Sequence, residues 1–244
     1  MHTIPKKIHQ TWYKKQIPYL VQRDINKMKK LNKDYEYYFY DDDDIIRFIK
    51  SNYDDDIYEA YSKLTVGASK ADFFRYLVLY KEGGIYLDLD SAIHKNLDDL
   101  IEGKSGVISR EQHENLYVQW MLIFSKNHPI LKEVIENVKK NIMKDCKQNV
   151  LDLTGPHVYA DSIKKIINIK DLWIKEDDEI NNKLKVESDK YISNTYFYNT
   201  DYEDYATFKT DASRSLYWEK PHWRDSYSLK TYALIKLVII VIII

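Results

Sequence analysis

The chain has 244 residues, a length suited to one domain, and its 44% hydrophobic and 14% aromatic content can fill a sizeable core. Lysine plus arginine number 37 and aspartate plus glutamate 38, a net charge of −1 that argues against nucleic acid as a partner, because such partners usually call for a basic excess. A lone cysteine, Cys146, excludes an internal disulfide and a multi-cysteine zinc site.

From the amino end, "MHTIPKKIHQ" has no apolar stretch of the kind a signal peptide needs, and no Asn-x-Ser/Thr sequon follows. The expected location is therefore cytoplasmic or membrane-associated. Lys6–Trp12 reads as a short strand after Pro5, and Tyr35–Asp41 as an aromatic strand. The acids of Asp41–Asp44 then open a helix at its positive end, and Asp54–Asp56 read as a second solvated helix start. From Gly67 to Glu82 the pattern is helical. Phe73, Leu77 and Tyr80 form one stripe and Phe74 and Val78 another, so the helix is apolar on two sides and deeply packed. Gly83 suits its C-cap, and Gly84 leads into a strand over Ile85–Leu89. "GVISR" and "LYVQWMLIF" read as further strands, and His128–Lys140 and His157–Ile169 as helices, with Pro156 in a first turn. Strands alternating with helices predict an α/β layer structure.

The chemistry gathers at "KEGGIYLDLDSA". Asp88 and Asp90 follow a buried helix, a glycine break and an apolar strand, so they emerge at the strand's carboxyl end, where open α/β sheets bind ligands. On a continuing strand, residues two apart face one side and could converge on a hard divalent cation. A strand that has simply reached water is the plain alternative. An EF-hand is excluded, since Ile93 stands where the loop needs glycine and the twelfth residue is not glutamate. A haloacid-dehalogenase-type phosphatase, with Asp88 as nucleophile and Asp90 as acid, also fits an apolar strand ending in Asp-x-Asp. No Gly-Asp-x-x-x-Asp motif supports it downstream. Asp72 and Arg75, three apart, share one face of the preceding helix. They either satisfy each other or bracket a sugar's hydroxyls.

"IPKKIHQTW", "SKADFFRYLVLYKEGGIYLDLD", "NHPIL", "LTGP" and "HWRDSY" together resemble glycosyltransferase family 32, in that family's order and over nearly the whole chain. That group includes capsular-polysaccharide enzymes and yeast α-1,6-mannosyltransferases. The resemblance implies a GT-A nucleotide-diphospho-sugar transferase fold, with a mixed central sheet flanked by helices. It also implies Mn²⁺ or Mg²⁺ as cofactor, a UDP- or GDP-sugar donor, a glycan or other hydroxyl acceptor, and transfer with retention. By the same resemblance Asp90 would hold the metal, and Asp88 would contact ribose or metal-bound water. Asp72 and Arg75 would grip the donor sugar. Trp12 would lie near the base, with a core anchor as its other reading. His222 would be a third metal or diphosphate ligand, with Trp223 and Ser226 closing over the phosphates; Tyr227 departs from the family's usual tryptophan there. Gln119 would stand beside the anomeric carbon, and Thr154-Gly155-Pro156 would turn by the acceptor. A catalytically silent carbohydrate-binding protein of the same fold is the remaining alternative.

The expected organisation is one transferase domain over 1–231 and an apolar tail over 232–244. The tail, "YALIKLVIIVIII", is shorter than the ~20 apolar residues of a membrane span and contains Lys236. It reads as a buried last element, a contact with a membrane or partner, or a truncated anchor.

Overall fold

The computed structural model describes residues 3–111, 116–147, 149–169, 176–198, 202, 204–213 and 215–216, and structural statements below concern these residues. Strand β1 (Lys7–Thr11) is followed by helix α1 (Tyr19–Leu31), strand β2 (Glu36–Tyr40), and helices α2 (Asp42–Asn52), α3 (Asp55–Ser62) and α4 (Gly67–Glu82). Strands β3 (Gly84–Leu87) and β4 (Ala92–Ile93), helix α5 (Asp98–Ile101), and strands β5 (Gly106–Ser109) and β6 (Met121–Phe124) come next. Helices α6 (Pro129–Lys144), α7 (Val150–Leu153) and α8 (Pro156–Ile167) precede α9 (Asp177–Leu184), α10 (Lys190–Ser193), β7 (Thr195–Tyr198) and β8 (Ala206–Thr207).

The main sheet runs β2-β1-β3-β6-β5-β7, and β4 pairs with β8 in a separate ribbon. β1 lies parallel to β2 and β3, β6 runs antiparallel to β3 and β5, and β7 is parallel to β5. The sheet is therefore mixed and layered with helices, as expected. Side chains alternate between two cores with the strand period. Ile85, Leu87, Met121 and Ile123 enter one core with α1 and α5, while Tyr86, Leu122 and Phe124 enter the other with α4, α6 and α8.

The acidic runs sit at helix starts, as their charge predicts. Asp41 caps α2 in a reciprocal capping box with Asp44, and Asp55 and Asp56 open α3. Helix α4 spans the expected residues, and Phe73, Phe74, Leu77, Val78 and Leu79 are fully buried. Its end needs both glycines. Gly83 and Gly84 have φ of +65° and +104°, and a Cβ on Gly84 would lie 2.5 Å from the Lys7 carbonyl oxygen on β1.

Two expected strands are shorter than the apolar pattern implied. β3 ends at Leu87 rather than Leu89, and β6 begins only at Met121. The physical reason lies just past that point: the Asp88 N–H still bonds Trp120 O in the β3–β6 register, but the Asp88 carbonyl accepts from the Ser91 N–H and Gln10 and the Gln119 carbonyl from Arg75, so the ladder goes no further. Among the described residues no helix is long and apolar enough to cross a membrane. The boundary expected at 231/232 and the whole apolar tail lie outside the described residues.

Candidate functional site

β1 and β3 run parallel, pairing Ile8 with Ile85 and His9 with Tyr86, so Trp12 and Asp88 leave the sheet at the same edge. Gln10 on β1 reaches across, its side-chain N–H donating to the Asp88 carbonyl at 3.4 Å. Asp88 and Asp90 do not lie on a strand. The Ser91 N–H bonds back to the Asp88 carbonyl at 3.0 Å, closing a turn. Two more backbone bonds pin this turn, from the Asp88 N–H to Trp120 O at 2.8 Å and from the Thr210 N–H to Asp90 O at 2.9 Å. The pleat argument for bringing the carboxylates together thus gives way to a turn, and Asp90's charge still acts directly on Asp88.

Arg75 is the centre of the site. Its Nη2 lies 3.0 Å from Asp72 Oδ1 and 2.9 Å from Asp88 Oδ1, and its Nη1 donates to the Gln119 carbonyl at 2.7 Å. The guanidinium carbon stands 4.8 Å from the centre of the Tyr86 ring. The pair does satisfy itself, the first of the two expectations, and Arg75 also holds the first aspartate of the Asp-x-Asp turn. Arg75 Nε is buried without a hydrogen-bond partner among the described residues.

Burial pushes the Asp72 carboxyl up to about 6, against the lowering pull of Arg75 and of the Thr154 hydroxyl, which donates at 3.1 Å. Burial also pushes Asp88 up to about 7; Arg75 opposes this, while the charges of Asp90 and Asp72 add to it. Two carboxylates, Asp72 and Asp88, face one guanidinium. That imbalance, with Asp88's side chain still 27% exposed, fits a hard cation with oxygen donors from Asp88 and Asp90. No cluster of three or more His, Cys, Asp or Glu side chains able to hold a metal stands among the described residues. His222, the expected third ligand, lies outside them, as do Trp223 and Ser226.

Gln119 is buried beneath Arg75, and its side-chain nitrogen donates to the Tyr76 hydroxyl and, at 3.3 Å, to the Thr154 carbonyl. Tyr76 donates to the same carbonyl at 3.1 Å. Gln119 thus shares its packing with Tyr76 and Thr154. Gly155 leaves room for this turn, since a Cβ there would meet the Val150 carbonyl at 2.8 Å. Trp12 is partly buried against the α1-side core, and its indole N–H finds no partner among the described residues, so its core and site readings both keep support. The sequence reading missed Tyr76 and the Thr154 hydroxyl. Nothing in the spacing of α4 sets Tyr76 apart from its apolar neighbours, and "LTGP" signalled a turn without revealing what its threonine would touch.

Residues 18–106, from α1 past the Asp-x-Asp turn, match the family model described as a glycosyltransferase sugar-binding region containing a DXD motif. An uncharacterised glycosyltransferase of Acanthamoeba polyphaga mimivirus is 33% identical over 66% of this chain and 64% of its own length. An inositol phosphoceramide mannosyltransferase of Schizosaccharomyces pombe is 34% identical over 56% of this chain and 38% of its own. An initiation-specific α-1,6-mannosyltransferase of Candida albicans is 25% identical over 67% and 53%. The chain thus spans between 38% and 64% of these relatives' lengths. Among solved structures, the PaToxG glycosyltransferase shares the fold with a TM-score of 0.57, 21% identity and 74% of each chain covered.

Proposed function

We infer that this chain, which belongs to glycosyltransferase family 32, the DXD-motif sugar transferases, moves a hexose from a nucleotide-diphosphate sugar to a hydroxyl acceptor. The relatives named as mannosyltransferases make GDP-mannose the first donor to test and a glycan or glycolipid hydroxyl the first acceptor. The observation that carries the reading is Arg75, held between Asp72 and Asp88 at the edge where the sheet ends.

Asp88 and Asp90 are the residues that would hold Mn²⁺ or Mg²⁺. When bound, that ion would neutralise the diphosphate as it leaves. The chain's own groups do the rest. Asp72 presents a carboxylate fixed by Arg75 and Thr154 and accepts hydroxyls of the donor sugar. Arg75 fixes the first aspartate of the turn, so both acids stay in one arrangement as the donor arrives. The buried floor of Tyr76, Tyr86 and Gln119 keeps water from beneath the sugar and strengthens each charged contact. Trp12, at the same sheet edge, offers an aromatic surface to the base. The reading includes retention; in a front-face route the departing phosphate would take the acceptor's proton and no side chain need act as nucleophile. His222, Trp223, Ser226 and Gln119 remain the candidates for closing the phosphate and anomeric sides.

The test is nucleotide release from a panel of UDP- and GDP-sugars with Mn²⁺, with and without acceptor, repeated in EDTA. Metal-dependent turnover of one donor is expected. Turnover that survives EDTA would overturn the metal-assisted transferase, and release of phosphate from a simple ester without any nucleotide sugar would replace this reading with the phosphatase. Donor affinity without hydrolysis or transfer would replace it with a silent binder.

A further inference from the structure

Helix α1 buries Val21, Ile25 and Met28, which leaves its opposite side facing outward. Tyr19, Leu20 and Leu31 on this helix are 79%, 41% and 43% exposed, three of the six large apolar side chains that the described residues expose. Leu20 and Leu31, eleven residues apart, return to one side of the helix about 16 Å from each other. Arg23, Lys27 and Lys30 lie along the surface between them, all exposed. Asp24 is the helix's lone acid, and it reaches Arg23 and Lys27 only at 3.6 and 3.9 Å. A chain of net charge −1 thus carries a basic strip flanked by apolar residues at both ends.

The helix that carries the strip packs near the site. α1 packs against β4 and against the 3₁₀ turn Asp211–Ser213, and the Thr210 N–H before that turn holds the Asp90 carbonyl.

We propose that the outward face of α1 docks this chain on an anionic lipid bilayer. A basic face gains about 1 kcal/mol per Lys or Arg near such a surface, and the flanking apolar side chains regain burial among the acyl chains. Nucleic acid would use the charges but give Leu20, Leu31 and Tyr19 no apolar surface to enter. The proposal does not rest on the transferase reading.

Flotation of the full chain with phosphatidylcholine vesicles, alone or mixed with phosphatidylserine, tests it. Binding to the mixed vesicles, weakened by salt and nearly absent with phosphatidylcholine alone, is expected. The triple variant Arg23→Gln/Lys27→Gln/Lys30→Gln should lower the partition at least about tenfold. Tyr19→Ser/Leu20→Ser/Leu31→Ser should do so too, with both variants melting like the parent because the replaced side chains are exposed. A chain shortened to end at Thr231 should keep its binding and its dependence on α1. Three outcomes overturn the proposal: no flotation, flotation indifferent to both triple variants, or flotation lost on shortening alone. Equal retention by immobilised polyglutamate or DNA, unaffected by the apolar triple variant, would replace the bilayer with an acidic polymer.

Discussion

Helix α4 carries a buried polar cluster toward each end, and the two differ in one respect. At the carboxyl end His9 is fully buried, its Nε2 donating to the Gly83 carbonyl at 3.0 Å and its Nδ1 accepting from the Tyr40 hydroxyl at 3.2 Å. Both ring nitrogens are used, no net charge is present, and β1, β2 and the glycine break are tied together. In the amino-terminal half, Asp72 and Arg75 meet Asp88 with negative charge left over. A buried polar group that is satisfied and neutral is structural, whereas a buried charge surplus is costly unless a ligand balances it. The comparison separates scaffold from site without reference to any relative.

The largest effect should come from the charged end. Asp88→Asn with Asp90→Asn should reduce nucleotide release by about 10³-fold, the scale seen when the principal electrostatic groups of a site are removed. Thermal melting should be unchanged or raised, because the change relieves repulsion among three carboxylates. A variant that loses activity by unfolding would instead place these acids in the scaffold.

The neutral end should show the opposite signature. Gly84→Ala brings a Cβ to 2.5 Å from the Lys7 carbonyl at φ +104°, and should cost about 3 kcal/mol in urea unfolding. Nucleotide release by the fraction that stays folded should be close to the parent's. An alanine accepted at no cost would mean that β1 and β3 are not held this closely.

Acid should find the neutral end too. Burial lowers His9 to about 4 and His128 to about 3. Both folded-state values lie below the unfolded one of about 6.5, so the folded chain binds fewer protons. The stability is whole above that value and is lost as pH falls toward 4 and then 3. At pH 5 the loss should be about 2 kcal/mol for each histidine. Asp72 and Asp88, raised to about 6 and about 7, gain stability over the same range, so the histidine loss is read from the difference between the parent and His9→Gln urea midpoints at pH 7 and pH 5. Between those pH values His9→Gln should lose about 2 kcal/mol less, or gain about 2 kcal/mol more, than the parent, and an identical change in both would show that His9 is not held neutral.

Much of this contrast could be read from the letters. The two glycines, the two-sided apolar helix and the acids after the strand defined α4, its end and the Asp-x-Asp position, because each depends on local sterics or on period. What stayed hidden depends on distant pairing. The turn that carries the Asp-x-Asp closes locally, from the Ser91 N–H to the Asp88 carbonyl, but it is held in place by bonds to Trp120 and Thr210, 32 and 120 residues away from their partners Asp88 and Asp90. The readings of Asp72 and Arg75 left Asp88 out for the same reason, since this third member of the group comes from another element. Helix spacing shows which side chains share a face, but not which strand end that face meets.

The subtlest break in the comparison lies at Thr154, which touches the charged end without belonging to its charge. Its hydroxyl donates to Asp72 at 3.1 Å while its carbonyl accepts from Tyr76 and Gln119, so one residue sets both the direction of the carboxylate and the packing beneath it. Thr154→Val keeps the shape and removes only the donor. A hydrogen bond to a charged group contributes about 1.5 kcal/mol, so the donor KM should rise about tenfold. kcat should change less, because Asp72 is proposed to hold the sugar before and during transfer alike. Thr154→Ser should restore the parent KM. If serine fails where valine fails, the methyl group matters rather than the hydroxyl, and Thr154 belongs with His9 among the scaffold contacts.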